Sequence, residues 1–187
     1  MTVTYDYRGT VAIVTGAARG IGRAVTYALV LAGARVVATD RDGDGLAESC
    51  RNLGDAVVPV TADITDADDA GRIVAAAPEH FGRLDFCVNS AAVAQLMTQA
   101  AARVLVAQGQ GGRIVNFSAG EAASESLTRV AAKELAEHGI LVNCVRPEIG
   151  PLARTGGPDG VAQVVLWLCS SGATYVTGTT LTVDGGG

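Results

Sequence analysis

The chain has 187 residues, 49% of them hydrophobic and 18% charged, enough to bury the core of one domain and too few for two comfortable ones. A formal net charge of -5 argues against nucleic acid as a partner, and no apolar run is long enough to span a bilayer. Cys50, Cys87, Cys144 and Cys169 follow no CxxC spacing and read as small core side chains in a reducing cytoplasm, with no metal site, while residues 1–6 lack the pattern of a signal peptide.

Apolar runs alternate with helical patterns from end to end. The first run, Val11–Thr15, leads directly into Thr15-Gly16-Ala17-Ala18-Arg19-Gly20-Ile21-Gly22, and a helical pattern continues over 20–32. Strand, glycine-rich turn and helix in that order hold a dinucleotide pyrophosphate on a helix N-terminus. Glycine lets the backbone turn tightly and approach phosphates with no Cβ in the way. A second strand, Arg35–Thr39, ends at Asp40, where a carboxylate can accept from an adenosine ribose 2′-hydroxyl. It also repels a 2′-phosphate, which favours NAD over NADP. The neighbouring Arg19 and Arg41 offset that repulsion, so NADP stays possible.

Further strands are expected at Ala56–Thr61, Leu84–Asn89, Arg113–Phe117, Ile140–Val145 and Thr180–Val183. Helices are expected near 44–53, 66–81, 96–108, 121–138 and 159–170. This alternation predicts an α/β, Rossmann-type, doubly wound parallel β-sheet with helices on both faces. With no linker or repeat, residues 1–187 read as a single dinucleotide-binding domain.

The glycine turn, Asp40, Ala62-Asp63-Ile64 and Val88-Asn89-Ser90-Ala91 together resemble the short-chain dehydrogenase/reductase family. So do Gly139-Ile140-Leu141-Val142-Asn143-Cys144-Val145-Arg146-Pro147 and the segment from Tyr175 to Gly187. The resemblance implies an NAD(P)-dependent oxidoreductase that moves a hydride between nicotinamide and a carbonyl or alcohol substrate. It implies a cofactor set of Gly16, Arg19, Gly20, Ile21, Gly22, Asp40, Arg41, Asp63, Ile64, Asn89 and Ala91. Asp63 would reach the adenine amino group, or else cap the next helix. Asn89 would support the central strand and the floor of the site. Ser90 and Ala92 depart from the family's Asn-Asn-Ala-Gly pattern.

The catalytic half departs further. Family members use a Tyr-x-x-x-Lys pair, the phenol as general acid or base and the lysine to lower its pKa. Here the tyrosines are at 5, 7, 27 and 175, the only lysine is Lys133, and no such pair exists. Aligning Glu121–Arg129 with the family's run puts Glu121 at the lysine position and Phe117 at the tyrosine position. Ser118 and Glu121 are the only weak catalytic candidates, and Ser118 reads more simply as a strand end or helix cap. His80 and His138 read as helix-end imidazoles. The chain is also short after strands four, five and six, where a parallel sheet carries its active site.

Two accounts follow. One is an oxidoreductase whose catalytic loops are not represented in this chain. The other is a catalytically degenerate nucleotide-binding or interaction protein, or a non-redox cyclase or dehydratase using Glu121 as base. Family habit implies a homodimer or homotetramer packed through the helices near 96–108 and 121–138. The small-molecule substrate is not legible.

Overall fold

In a computed structural model the described residues are 3–90, 95–120, 122–148 and 157–185. In chain order the elements are β1 (Val11–Thr15), α1 (Gly20–Leu31), β2 (Arg35–Asp40), α2 (Gly43–Cys50), β3 (Val57–Thr61), α3 (Ala67–Phe81) and β4 (Phe86–Asn89). They continue with α4 (Gln95–Gln108), β5 (Gly112–Phe117), α5 (Ala122–Leu135), β6 (Ile140–Pro147), α6 (Gly157–Cys169) and β7 (Thr180–Val183). All seven strands form one sheet in the order β3-β2-β1-β4-β5-β6-β7, and every pairing is parallel. The chain winds outward from β1 to β3, then crosses back past β1 to β4. That reversal opens a crevice at the carboxyl ends of β1 and β4, where open α/β sheets take their ligands.

The central strands are apolar on both faces because both faces are covered. All five residues of β1 are buried. Ala12 and Val14 pack with Val25 and Leu29 of α1 and with Val161 and Val165 of α6. Val11 and Ile13 point the other way, into a second core with Ile73 of α3, Met97 and Leu105 of α4, and Ala131 of α5. The four cysteines are free, with Cys87, Cys144 and Cys169 buried. Burial pushes the Cys87 and Cys169 thiols up to about 12 and the Cys144 thiol to about 11, so they pack as small inert side chains.

Helix ends follow local chemistry. Asp66 caps α3, accepting from the backbone N–H groups of Asp68 and Asp69, and Gly82 ends the helix in the left-handed conformation. The helix expected over 121–138 is shorter: α5 stops at Leu135, and a 3₁₀ turn over Ala136–His138 leads to Gly139 at φ 68. His80 lies in the last turn of α3 and His138 in that 3₁₀ turn, the helix-end positions expected of them.

A buried polar chain ties the two layers together beneath the crevice. Asn89 and Asn116 are direct partners on β4 and β5. Asn89 Nδ2 donates to Asn116 Oδ1 (2.9 Å) and to Thr98 Oγ1 of α4 (3.2 Å). Thr98 Oγ1 donates to Asn116 Oδ1 (3.0 Å), and Asn116 Nδ2 donates to Thr128 Oγ1 of α5 (3.0 Å). None of these four residues is more than 2% exposed. At such depth each bond counts chiefly because its loss strands a desolvated partner.

Asn116→Ala is therefore expected to destabilise the fold by about 2–4 kcal/mol, since it strands polar groups of Asn89 and Thr128. Thr128→Val, near-isosteric and costing one bond, is expected to lose only about 1–2 kcal/mol. Urea unfolding midpoints check both, and equal losses would show that Asn116 is not the hub.

Candidate functional site

The glycine-rich turn sits at the crevice because α1 starts hard against the end of β1. A Cβ on Gly22 would stand 2.2 Å from the carbonyl oxygen of Gly16 and 2.9 Å from that of Thr15. Only glycine permits that approach. Gly16 and Gly20 turn the chain with φ of 68° and 55°, and a Cβ on Gly20 would meet nothing within 4 Å. No side chain caps α1, and its first turn carries no acidic residue. The first N–H groups of a helix have no intrahelical partners, so this end presents donors and a partial positive charge across open space. Those features fit an anionic pyrophosphate.

The turn is braced from β2. Asp40, half-buried, accepts from Ala18 N through Oδ2 (3.1 Å) and from Asp42 N through Oδ1 (3.1 Å). Ala17 N donates to the Thr39 carbonyl (3.1 Å), and Ser49 Oγ donates to the Ala17 carbonyl (2.9 Å). The carboxylate expected to read a ribose thus also holds the glycine turn in place. Arg19 and Arg41 are exposed. Arg19 pairs with Asp42 at 2.8 Å, a partner the sequence reading missed, although Asp-Gly-Asp-Gly at 42–45 is a legible helix-start signal.

Asp63 is exposed and accepts from both the backbone N–H (2.9 Å) and the hydroxyl (2.7 Å) of Thr65. Those two bonds hold its carboxyl below the usual range, and the charge of Arg41 adds to the effect. It does not cap α3, since Asp66 does. Ile64 is half-buried against the second core. The Asn89 side chain is turned wholly into the buried polar chain beneath β4 and β5, the strand-supporting place expected of it. It is the backbone of Ser90 that faces the turn, 3.6 Å from where a Gly16 Cβ would be. Ala91 lies outside the described residues.

Of the two residues that the alignment sets at the catalytic positions, only Phe117 lies among the described residues. Phe117 is the last residue of β5, paired with Val145, and its ring is buried in the core shared with α1 and α6. The helix α5 packs against the opposite core through Ala131 and Ala132. Phe117 therefore points to the face of the sheet away from α5. Ser118 is buried, and its Oγ accepts from Gly120 N (3.0 Å), forming the strand-end turn expected as its simpler role. Glu121 lies outside the described residues. At the same end of the sheet Arg146 stands within ion-pair distance of Glu125 (3.2 Å) and Glu148 (2.9 Å) and donates to Thr182 (2.9 Å). Motif reading passed over this cluster.

A groove of about 840 Å³ runs between α1 and α6, lined among others by Arg23, Tyr27, Asp159 and Gln163. It meets the turn only at Gly20, and neither Asp40, Asp63 nor Asn89 lines it. Among the described residues no cluster of His, Cys, Asp or Glu fits a metal ion, and no helix is long and apolar enough to cross a membrane.

Comparison with known proteins places this geometry among relatives. The family profile described as short chain dehydrogenase matches residues 10–104, and that described as enoyl-(acyl carrier protein) reductase matches 148–187. Together they leave 105–147 uncovered, the stretch holding β5, α5 and β6. An L-rhamnose 1-dehydrogenase (NAD(P)(+)) of a Sphingomonas species is 32% identical over 243 residues, 95% of this chain and 96% of that one. A galactitol 2-dehydrogenase (L-tagatose-forming) of Cereibacter sphaeroides is 31% identical over 250 residues, 97% of this chain and 98% of that one. Both matches run longer than the 187 residues present here, so the relatives hold residues inside the matched region that this chain lacks. The crystal structure of a short-chain type dehydrogenase/reductase from Mycobacterium marinum superposes with a TM-score of 0.90 at 28% identity, over 96% of this chain and 95% of that one.

Gly22→Ala is expected to lower stability by about 2–4 kcal/mol through its overlap with Gly16 and to weaken binding of 5′-ADP at least about tenfold. Gly20→Ala, strained only in φ, is expected to cost about 1–2 kcal/mol. Thermal unfolding and titration calorimetry separate the two, and a Gly22→Ala protein that binds normally would sink the turn as the phosphate site.

Proposed function

The chain belongs to the short-chain dehydrogenase/reductase family of NAD(P)-dependent oxidoreductases, and we propose that this member works with NAD in preference to NADP. The observation that carries the nucleotide site is the uncapped N-terminus of α1, seated on the end of β1 by Gly22. What favours NAD is the run of carboxylates where β2 ends: Asp40 is fixed at the turn by two backbone donors, and Asp42 and Asp44 follow it. Negative charge there accepts from ribose hydroxyls and repels a 2′-phosphate.

When bound, the cofactor supplies a nicotinamide ring that gives up or takes a hydride. The residues proposed to hold it are Gly16, Arg19, Gly20, Ile21 and Gly22 around the pyrophosphate, Asp40 and Arg41 near the ribose, and Asp63 and Ile64 toward the adenine. Asn89 and Ala91 belong to the floor, Asn89 by keeping β4 and β5 in register. The relatives named above are dehydrogenases, which supports hydride transfer over the degenerate and cyclase readings. Neither Ser118, whose hydroxyl serves a turn, nor Glu121 replaces a phenol beside a cation. We therefore place the general acid in a segment following β4, β5 or β6 that these 187 residues do not represent.

The related names span a sugar and a polyol, so a carbonyl or alcohol group is all that is carried over to this chain's substrate. A cytoplasmic protein fits the free, buried thiols, and the net charge of -5 fits a protein without nucleic-acid partners. Assembly as a homodimer or homotetramer through α4 and α5 is supported by Val106 and Val130, which stand exposed there.

Calorimetry with NADH and NADPH is expected to give tighter binding of NADH, and Asp40→Arg to reverse the order. Equal affinities in the wild-type protein would refute the NAD assignment. The intact mass of protein made from its gene is expected to exceed 18.9 kDa by several kilodaltons. Agreement with 18.9 kDa would remove the loop-borne general acid.

A further inference from the structure

We propose that Asp42 is a specificity-determining residue that withholds Arg19 from the adenosine 2′-phosphate. The proposal rests on the nucleotide site described above and assigns its discrimination to a particular ion pair.

Arg19 is the only cation within the glycine turn itself, and it is bound to Asp42 Oδ2 at 2.8 Å. Its side chain is 75% exposed, and among the described residues Asp42 is the partner it pairs with. Asp42, by contrast, has one seat. Its Oδ1 accepts from Gly45 N at 3.0 Å as the cap of α2, and its own N–H donates to Asp40 Oδ1 at 3.1 Å. A Cβ on Gly45 would lie 2.7 Å from Oδ2, the oxygen that Arg19 uses. The carboxylate is thus set down over a glycine, pinned on one oxygen and aimed at the turn with the other. The second nearby cation, Arg41, is close enough to Asp63 for its charge to act there.

A 2′-phosphate at the end of β2 needs a cation to balance the carboxylate of Asp40. Arg19 is in the right loop but already neutralised, and the charge of Asp42 adds its own repulsion. A ribose bearing a free 2′-hydroxyl makes no such demand. An exposed ion pair is weak, so the barrier is modest and removable. On this reading discrimination lies in Asp42 as much as in Asp40, and a single uncharged replacement frees Arg19 to meet a 2′-phosphate as well.

Asp42→Asn isolates the charge, because asparagine caps a helix as well as aspartate. Titration calorimetry with 2′,5′-ADP and with 5′-ADP reads the effect without catalysis. Asp42→Asn is expected to tighten 2′,5′-ADP by about tenfold and to leave 5′-ADP within about twofold, with an unchanged thermal midpoint. Adding Arg19→Gln is expected to abolish the gain of 2′,5′-ADP over 5′-ADP measured in the same variant. No gain with 2′,5′-ADP, an equal gain for both nucleotides, or a gain that survives Arg19→Gln would overturn the role of the pair. A wild-type protein that binds neither nucleotide would instead overturn the nucleotide site on which the proposal rests.

Discussion

Everything at the site depends on one steric fact: α1 begins where β1 ends, with no room for a side chain between them. Gly22 lies so close to the Gly16 carbonyl that a methyl group would overlap it. This contact aims the helix N-terminus at the crevice, and the absence of a side-chain cap or first-turn acid keeps that end available to an anion. The bracing from β2, through Asp40 to Ala18 N and Asp42 N, makes the glycine turn and the end of β2 a single braced piece.

The other half of the crevice is kept in register by different means. Beneath β4 and β5, Asn89 and Asn116 pair across adjacent strands and reach Thr98 and Thr128 on the covering helices. Amides buried to this degree specify a register more sharply than apolar side chains, because a slip leaves several groups without partners. The structure thus holds the ends of β4 and β5 firmly, although the chain has no Tyr-x-x-x-Lys pair.

Much of the fold was legible. All seven strands were placed within one or two residues of their observed ends, because both faces of a parallel sheet are covered and the strands read as unbroken apolar runs. The 3₁₀ ending of α5 was missed, since the helical pattern continues through Ala136–His138 and only Gly139 signals the change. Phe117 takes the tyrosine position by motif spacing alone, and spacing says nothing about which face of the sheet a strand residue occupies.

The sequence by itself determined the order of strands and helices, the glycine turn, the carboxylate that ends β2 and the absence of a Tyr-x-x-x-Lys pair. These are local patterns, set by periodicity, turn chemistry and the identity of neighbouring residues. Only the tertiary structure decided that Asn89 turns into a buried chain with Asn116, that Asp40 braces Ala18, and that Asp42 holds Arg19. Each of those bonds joins residues at least 22 positions apart. Their partners are chosen by which strand ends the sheet sets side by side, and that choice is written in no single stretch of the chain.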